Sequence, residues 1–209
     1  MKLIFLRHGA TDLNGLDAIR GWLDVRLNED GQRQAAVAAN GLSQVRLTRI
    51  YTSDLIRAIE TANTVAIYHP GLTVEWTDGL RPINFGDLQG RPYAEVNKDV
   101  DALFEKWETD PSIKAPGGES FADFSGRFIP FMEKLESSCE EQDIVLLVSH
   151  TRVCSYAMAR AMNAGKPLEA DGLRTLHHAE VGLGNCAVLT APLPLRLSQL
   201  NIIKQMGMF

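Results

Sequence analysis

The chain begins MKLIFLRHGATDLN (residues 1–14), and the break after Leu6 decides how the rest is read. Four apolar residues in succession, Leu3 to Leu6, read as a short buried strand rather than a helical turn. Gly9 lets the backbone turn sharply and leaves room for a ligand. Arg7 and His8 therefore stand where the chain leaves a strand, the place at which open α/β sheets bind ligands. A polar strand end with a solvated arginine fits these residues equally well, so the remainder of the chain has to decide.

A chain of 209 residues, 45% hydrophobic and 22% charged, suits one soluble domain with a sizeable core. Its formal charge of -5 argues against a nucleic-acid partner, which calls for a basic patch or stripe. A small anionic substrate remains open, because a local arginine cluster overrides the global sign. The three cysteines, Cys139, Cys154 and Cys186, form no CxxC pair. They fit a reducing compartment and neither a disulfide framework nor a zinc site. The apolar run before Arg7 is too short for a signal-peptide core, and Ile144–Val148 is too short to span a bilayer. The expectation is a cytoplasmic protein with no membrane association.

Apolar runs alternate with helical patterns. Lys2–Leu6 reads as a strand, and residues 28–42 as a helix with Asn28 as N-cap and Glu29 and Asp30 in its first turn. Arg49–Thr52 is a short strand, followed by Ser53 as N-cap of a helix to about Tyr68, stopped by His69-Pro70-Gly71. Residues 72–77 suggest a further strand. A polar segment from about 79 to 120 reads as an insertion with one or two helices, and a helix from Ser120 to Cys139 should kink or break at Pro130. Ile144–Ser149 is a strand and Val153–Met162 a helix. Leu176–Val181, Ala187–Thr190 and Leu195–Ile203 read as strands. Such alternation implies an α/β fold with a mainly parallel sheet and antiparallel late edges.

Three of these strands run into polar residues: Leu6 into Arg7-His8, Thr52 into Ser53 and the Arg57 helix, Val148 into Ser149-His150. If the strands are parallel, Arg7, His8, Arg57 and His150 share one pocket at their carboxyl ends. Arg57 lies in the first turn of its helix, where free N–H groups favour an anion. Two arginines suit forked hydrogen bonds to phosphate oxygens. Arg57 also fits a pairing with Glu60, and His150 a satisfied strand-end histidine. Phe85, Phe104, Trp107 and Phe121 suit either a substrate wall or the core of the insertion. His177 and His178 point to opposite faces of a strand, which disfavours a joint metal site.

RHG with Thr11 and Asn14 behind it, SDLIRAIETA (residues 53–62), PGGES (residues 116–120) and VLLVSH (residues 145–150) together resemble the histidine phosphatase superfamily, the phosphoglycerate mutase-like fold. GWLDVRLNEDGQRQA (residues 21–35) is similar to that family's segment after the RHG loop, and the likeness runs from residue 2 to about residue 190. It implies a three-layer sandwich, mainly parallel sheet with helices on both faces. The chain is then a single domain, residues 1–209, with a small helical cap at about 79–120. It also implies a phosphomonoesterase of the phosphatase-type branch in which His8 becomes a phosphohistidine that water hydrolyses, acting on a small phosphorylated substrate with no metal or other cofactor. The LNERHYG-type segment of the mutases is absent.

The residue types suit that chemistry. Phosphoryl transfer is mostly positioning and charge stabilisation around equatorial oxygens. A histidine nucleophile must be neutral, and Arg7 and Arg57 disfavour its imidazolium. The same arginines, with His150 as donor, hold the moving phosphoryl group. Asn14, Gly21, Thr151 and Arg152 are the further substrate-binding candidates. Arg152 follows His150 where the family usually has glycine, and suits either an anion contact or an outward helix residue. The family's general acid is a glutamate in an LRE-x-x-x-G segment, but LRPINFGDLQG (residues 80–90) carries Pro82 there. Either Asp87 takes over the acid role, or Glu119 reaches in, or the enzyme works without an acid on activated or N–P substrates. A phosphohistidine or other N–P phosphatase, a phosphoglycerate mutase-like enzyme and a catalytically silent phospho-ligand sensor are the rivals.

Overall fold

Residues 1–162, 188–192 and 201–203 are described by a computed structural model of the chain. In order, the elements are β1 (Lys2–Arg7), α1 (Asp12–Gly15), α2 (Glu29–Leu42), β2 (Arg49–Ser53), α3 (Ile56–Ala66), β3 (Val74–Thr77), α4 (Tyr93–Thr109), α5 (Phe121–Ser138), β4 (Ile144–Ser149), α6 (Thr151–Met162), β5 (Val188–Pro192) and β6 (Asn201–Ile203). The sheet order is β3-β2-β4-β1-β5-β6. β3, β2, β4 and β1 are mutually parallel, and β5 and β6 join antiparallel at one edge.

Strand side chains alternate between two cores, because the period of a strand is two. Ile4, Leu6, Ile50, Leu146 and Val148 pack with α2 and α3 on one face. Leu3, Phe5, Val145 and Leu147 pack on the other face with α4, α5 and α6. The apolar runs of β1 and β4 thus mark strands buried on both sides, the middle layer of three. Phe85, Phe104, Trp107 and Phe121 belong to the second core, each 5% exposed or less, with ring centroids 5.1 to 6.4 Å apart. They are core residues of the insertion.

Local chemistry fixes the helix ends. Asn28 Oδ1 accepts the Gly31 N–H at 2.9 Å, a cap contributing about 1 kcal/mol. Ser120 and Asp123 cap α5 reciprocally, each side chain accepting the other's backbone N–H at 3.0 Å. The expected break at Pro130 does not occur: α5 runs through it. Pro130 and Gly126, whose carbonyl it leaves without a helical donor, both lie on the exposed face, open to solvent.

Ser53 is likewise not the N-cap of α3. It is the last residue of β2, Leu55 holds the cap position, and Asp24 Oδ1 takes the Ile56 N–H at 2.7 Å. The helix ends at Ala66 rather than Tyr68, and the strand expected at 72–77 occupies Val74–Thr77. Leu176–Val181, His177, His178 and Cys186 lie outside the described residues. No helix among the described residues is long and apolar enough to cross a membrane.

Candidate active site

The parallel pairing of β1, β4 and β2 brings three strand ends to one edge. Arg7 lies opposite Ser149 in the register, and the His8 N–H donates to the Ser149 carbonyl at 2.9 Å. His8 and His150 thereby become neighbours, with ring centroids 5.0 Å apart. Both are buried. Arg57, second residue of α3, is buried beside them, as the strand-end reading requires.

The two imidazoles are held by opposite nitrogens. His8 Nδ1 lies 2.7 Å from its neighbour's carbonyl, Gly9 O. A carbonyl only accepts, so Nδ1 carries the proton and Nε2 keeps its lone pair. The Ala10 N–H of that carbonyl's peptide goes to Gln34 Oε1 at 2.9 Å, and Thr61 holds the preceding peptide: its hydroxyl accepts the Gly9 N–H at 3.1 Å and donates to Arg57 O at 2.8 Å. His150 is anchored through Nε2, 2.9 Å from Ser53 Oγ, and its Nδ1 is buried with no hydrogen-bond partner among the described residues.

Electrostatics keep both rings neutral. Burial first, then the charges of Arg57 and Arg7, push the His8 pKa well below the ordinary 6.5, with Arg20 adding to the effect. His150 is driven the same way by burial, Arg57, His8 and the other arginines. The leading charges on both rings are cationic. Burial and Arg20 lower even Arg57, to about 10. Asp24 offsets part of this at Arg57 and Asp17 at Arg20, but no carboxylate is among the charges acting on either imidazole, and a desolvated cationic cluster of this kind is suited to an anion.

Arg57 is doubly committed. Its Nη1 and Nη2 donate to Leu23 O and Gly21 O at 2.7 and 2.8 Å, while Nε has no hydrogen-bond partner among the described residues. The alternative pairing with Glu60 is not made, because Glu60 binds Arg26 and the Leu27 N–H instead. Gly21 therefore positions Arg57 through its carbonyl. Its φ of +47° and the Gln89 side chain against its Cα exclude a side chain there. Gln89 Oε1 also accepts the Trp22 N–H at 2.6 Å.

The other expected site residues divide. Asn14 Oδ1 accepts from the Thr11 N–H and hydroxyl, both at 2.9 Å, which makes it a brace for the RHG loop. Thr151 opens α6 directly after His150 and is half-buried. Arg152 turns into the insertion, its guanidinium 5.0 Å from the Phe104 ring and its charge felt by Tyr93. The acid position is empty of acids. The Pro82 carbonyl accepts from Trp22 Nε1 and Arg127 Nη2, both at 2.8 Å. Asp87 is exposed on a short turn, its N–H bonded to Pro116 O at 2.8 Å. Glu119 is buried but engaged, taking the Asn84 N–H at 2.9 Å and Arg127 at 2.8 Å.

Sequence reasoning missed Arg20, Thr61, Trp22 and Arg127. Thr61 had a signal, standing four residues after Arg57 and so one helical turn along the same face. Arg127 had none, since it reaches Asp78 O, Arg81 O and Pro82 O from a helix more than forty residues away in the chain. Among the described residues no group of three His, Cys, Asp or Glu side chains gathers as a metal site.

A family model described as the histidine phosphatase superfamily (branch 1) matches residues 3–185. A glucosyl-3-phosphoglycerate phosphatase of Mycobacterium tuberculosis is 35% identical over 156 residues, 71% of this chain and 70% of that protein. Phosphoglycerate mutase-like protein 4 of Arabidopsis thaliana is 33% identical over 172 residues, 80% of this chain and 74% of that protein. The solved structure of a mycobacterial glucosyl-3-phosphoglycerate phosphatase with VO3 superposes with a TM-score of 0.76 at 30% identity, covering 98% of this chain and 99% of that one.

Proposed function

We propose, for a chain that belongs to the histidine phosphatase superfamily, a phosphomonoesterase activity that runs through a phosphoryl group carried on His8. The observation that supports it is the pair of neutral, buried imidazoles set among arginines, one of them with its Nε2 lone pair preserved by the bond from Nδ1 to Gly9 O. Nε2 attacks phosphorus and the bond to the leaving oxygen breaks. Arg7 and Arg57, with an N–H from His150, hold the equatorial oxygens as charge redistributes. Water then attacks the phosphohistidine, releasing phosphate and restoring the neutral ring. The substrate is a small phosphorylated metabolite of the cytoplasm, chosen by the cap at residues 79–120. No metal enters this reading, because the cationic cluster itself supplies the charge.

The relatives named as glucosyl-3-phosphoglycerate phosphatases make an alkyl phosphate one candidate. Its alkoxide leaves slowly without a proton, and a positioned acid contributes about 100- to 10,000-fold. With Pro82 at the acid position and Asp87 exposed, the rate should fall steeply as the leaving group becomes more basic. Asp87→Asn should leave the ratio of alkyl to aryl phosphate turnover unchanged. The same observation favours a second reading, a phosphohistidine or other N–P phosphatase, whose imidazole leaving group needs that proton far less.

Purified protein in excess chelator, supplied with aryl phosphates of graded leaving-group pKa, tests the proposal. Turnover with a steep dependence supports it, and failure to turn over any of them, or phosphohistidine, leaves only a phospho-ligand sensor. Turnover of phosphohistidine but of no alkyl phosphate would select the second reading.

A further inference from the structure

Ser53 stands inside the SDLIRAIETA segment, yet its hydroxyl does not cap the helix that follows. It is fully buried and makes two contacts: Oγ lies 2.9 Å from His150 Nε2, and the Leu55 N–H points to it at 3.4 Å. An N–H only donates, so toward Leu55 the oxygen is the acceptor and its own proton is left to give. No other acceptor for that proton is found among the described residues. Given to Nε2, it consumes the ring's lone pair there and puts the ring proton on Nδ1, the nitrogen that is buried without a partner.

We infer that Ser53 is a positioning residue that sets the tautomer of His150, so that the ring presents Nδ1–H to the substrate's phosphoryl oxygens. The reverse tautomer would leave a buried hydroxyl proton unmet and turn a lone pair toward an anion, two costs at once. The pocket then holds two imidazoles with complementary tasks. His8 keeps Nε2 bare for attack because Gly9 takes its Nδ1 proton, and His150 keeps Nδ1 protonated for donation because Ser53 fills its Nε2. The backbone of β2 ends at Ser53, which places the hydroxyl on the strand rather than on a movable loop.

The inference rests on the phosphatase reading for its consequence but not for its measurement. Long-range proton–nitrogen correlation spectra of the ligand-free protein, with His150 assigned by loss of its signals in His150→Gln, report which ring nitrogen is protonated. The expected result is a protonated Nδ1 and a bare Nε2 for His150 near neutral pH, with a mixture of tautomers in Ser53→Ala. On an aryl phosphate, Ser53→Ala should lower kcat roughly 10- to 100-fold with little change in KM, the effect of a misdirected donor. A protonated Nε2 in the unsubstituted protein would overturn the inference, as would an unchanged His150 tautomer in Ser53→Ala. If no phosphomonoester is turned over at all, the phosphatase reading falls while the spectra still decide the tautomer.

Discussion

Arg57 concentrates the account at the level of one side chain. Its two terminal nitrogens clamp the carbonyls of Gly21 and Leu23, and its charge is among the strongest acting on His8 and His150. Lysine in its place would keep a charge but lose the fork. Arg57→Lys should therefore lower kcat on an aryl phosphate by about 10-fold or more. Arg57→Ala should lower it by about 100- to 1,000-fold, the range seen when a donor to developing negative charge is removed. Because the contact tightens in the transition state, kcat should fall further than KM rises. Steady-state kinetics showing a rise in KM alone would mean that Arg57 only binds substrate uniformly.

The loop of residues 19–23 is the element that completes the pocket, and it is held from every side. The Ile19 N–H donates to Arg91 O at 3.0 Å and the Ile19 carbonyl accepts the Gly90 N–H at 2.8 Å, Gln89 takes the Trp22 N–H, and Trp22 stacks under Arg81 at 4.4 Å. Arg81 is in turn fixed by both oxygens of Asp54 at 2.6 Å. Gly21→Ala would force a side chain into the left-handed region and into Gln89. It should cost about 1 to 3 kcal/mol of stability, read as a lower urea midpoint, together with weaker phosphate inhibition as Arg57 loses its carbonyl. This loop also marks where sequence reading stopped. β1, β4 and α2 were legible because apolar runs and a local Asn cap announce them. Ser53 was misread because a serine before a helix looks like a cap, whereas the actual cap comes from Asp24, distant in the chain. Arg127 and Arg20 acquire their roles only when folding brings separate segments together. His8, Arg57 and His150 were legible because each follows or closely follows a strand end, and parallel strands share an edge.

For the molecule as a whole, two neutral histidines buried among arginines link stability to pH. In the unfolded chain both titrate at the ordinary value of 6.5, while in the native pocket both are lowered well below it. Between those values the unfolded state binds more protons, so stability rises with pH there and is lost as pH falls below about 6.5. Melting temperature should drop from pH 7 to pH 5, and His8→Gln should flatten that drop by removing one of the two groups. An equal slope in the variant would show that His8 does not titrate as the pocket requires. The acid limb of kcat/KM should also lie below 6.5, since the nucleophile stays neutral to lower pH. Whether His8 carries the phosphoryl group is decided by rapid quench with a phosphorus-labelled aryl phosphate. Acid-labile, base-stable label should be trapped on the unsubstituted protein before steady state, while His8→Ala should trap none and turn over nothing. Undiminished turnover in His8→Ala, or turnover in the unsubstituted protein through no trappable phosphohistidine, would contradict the account.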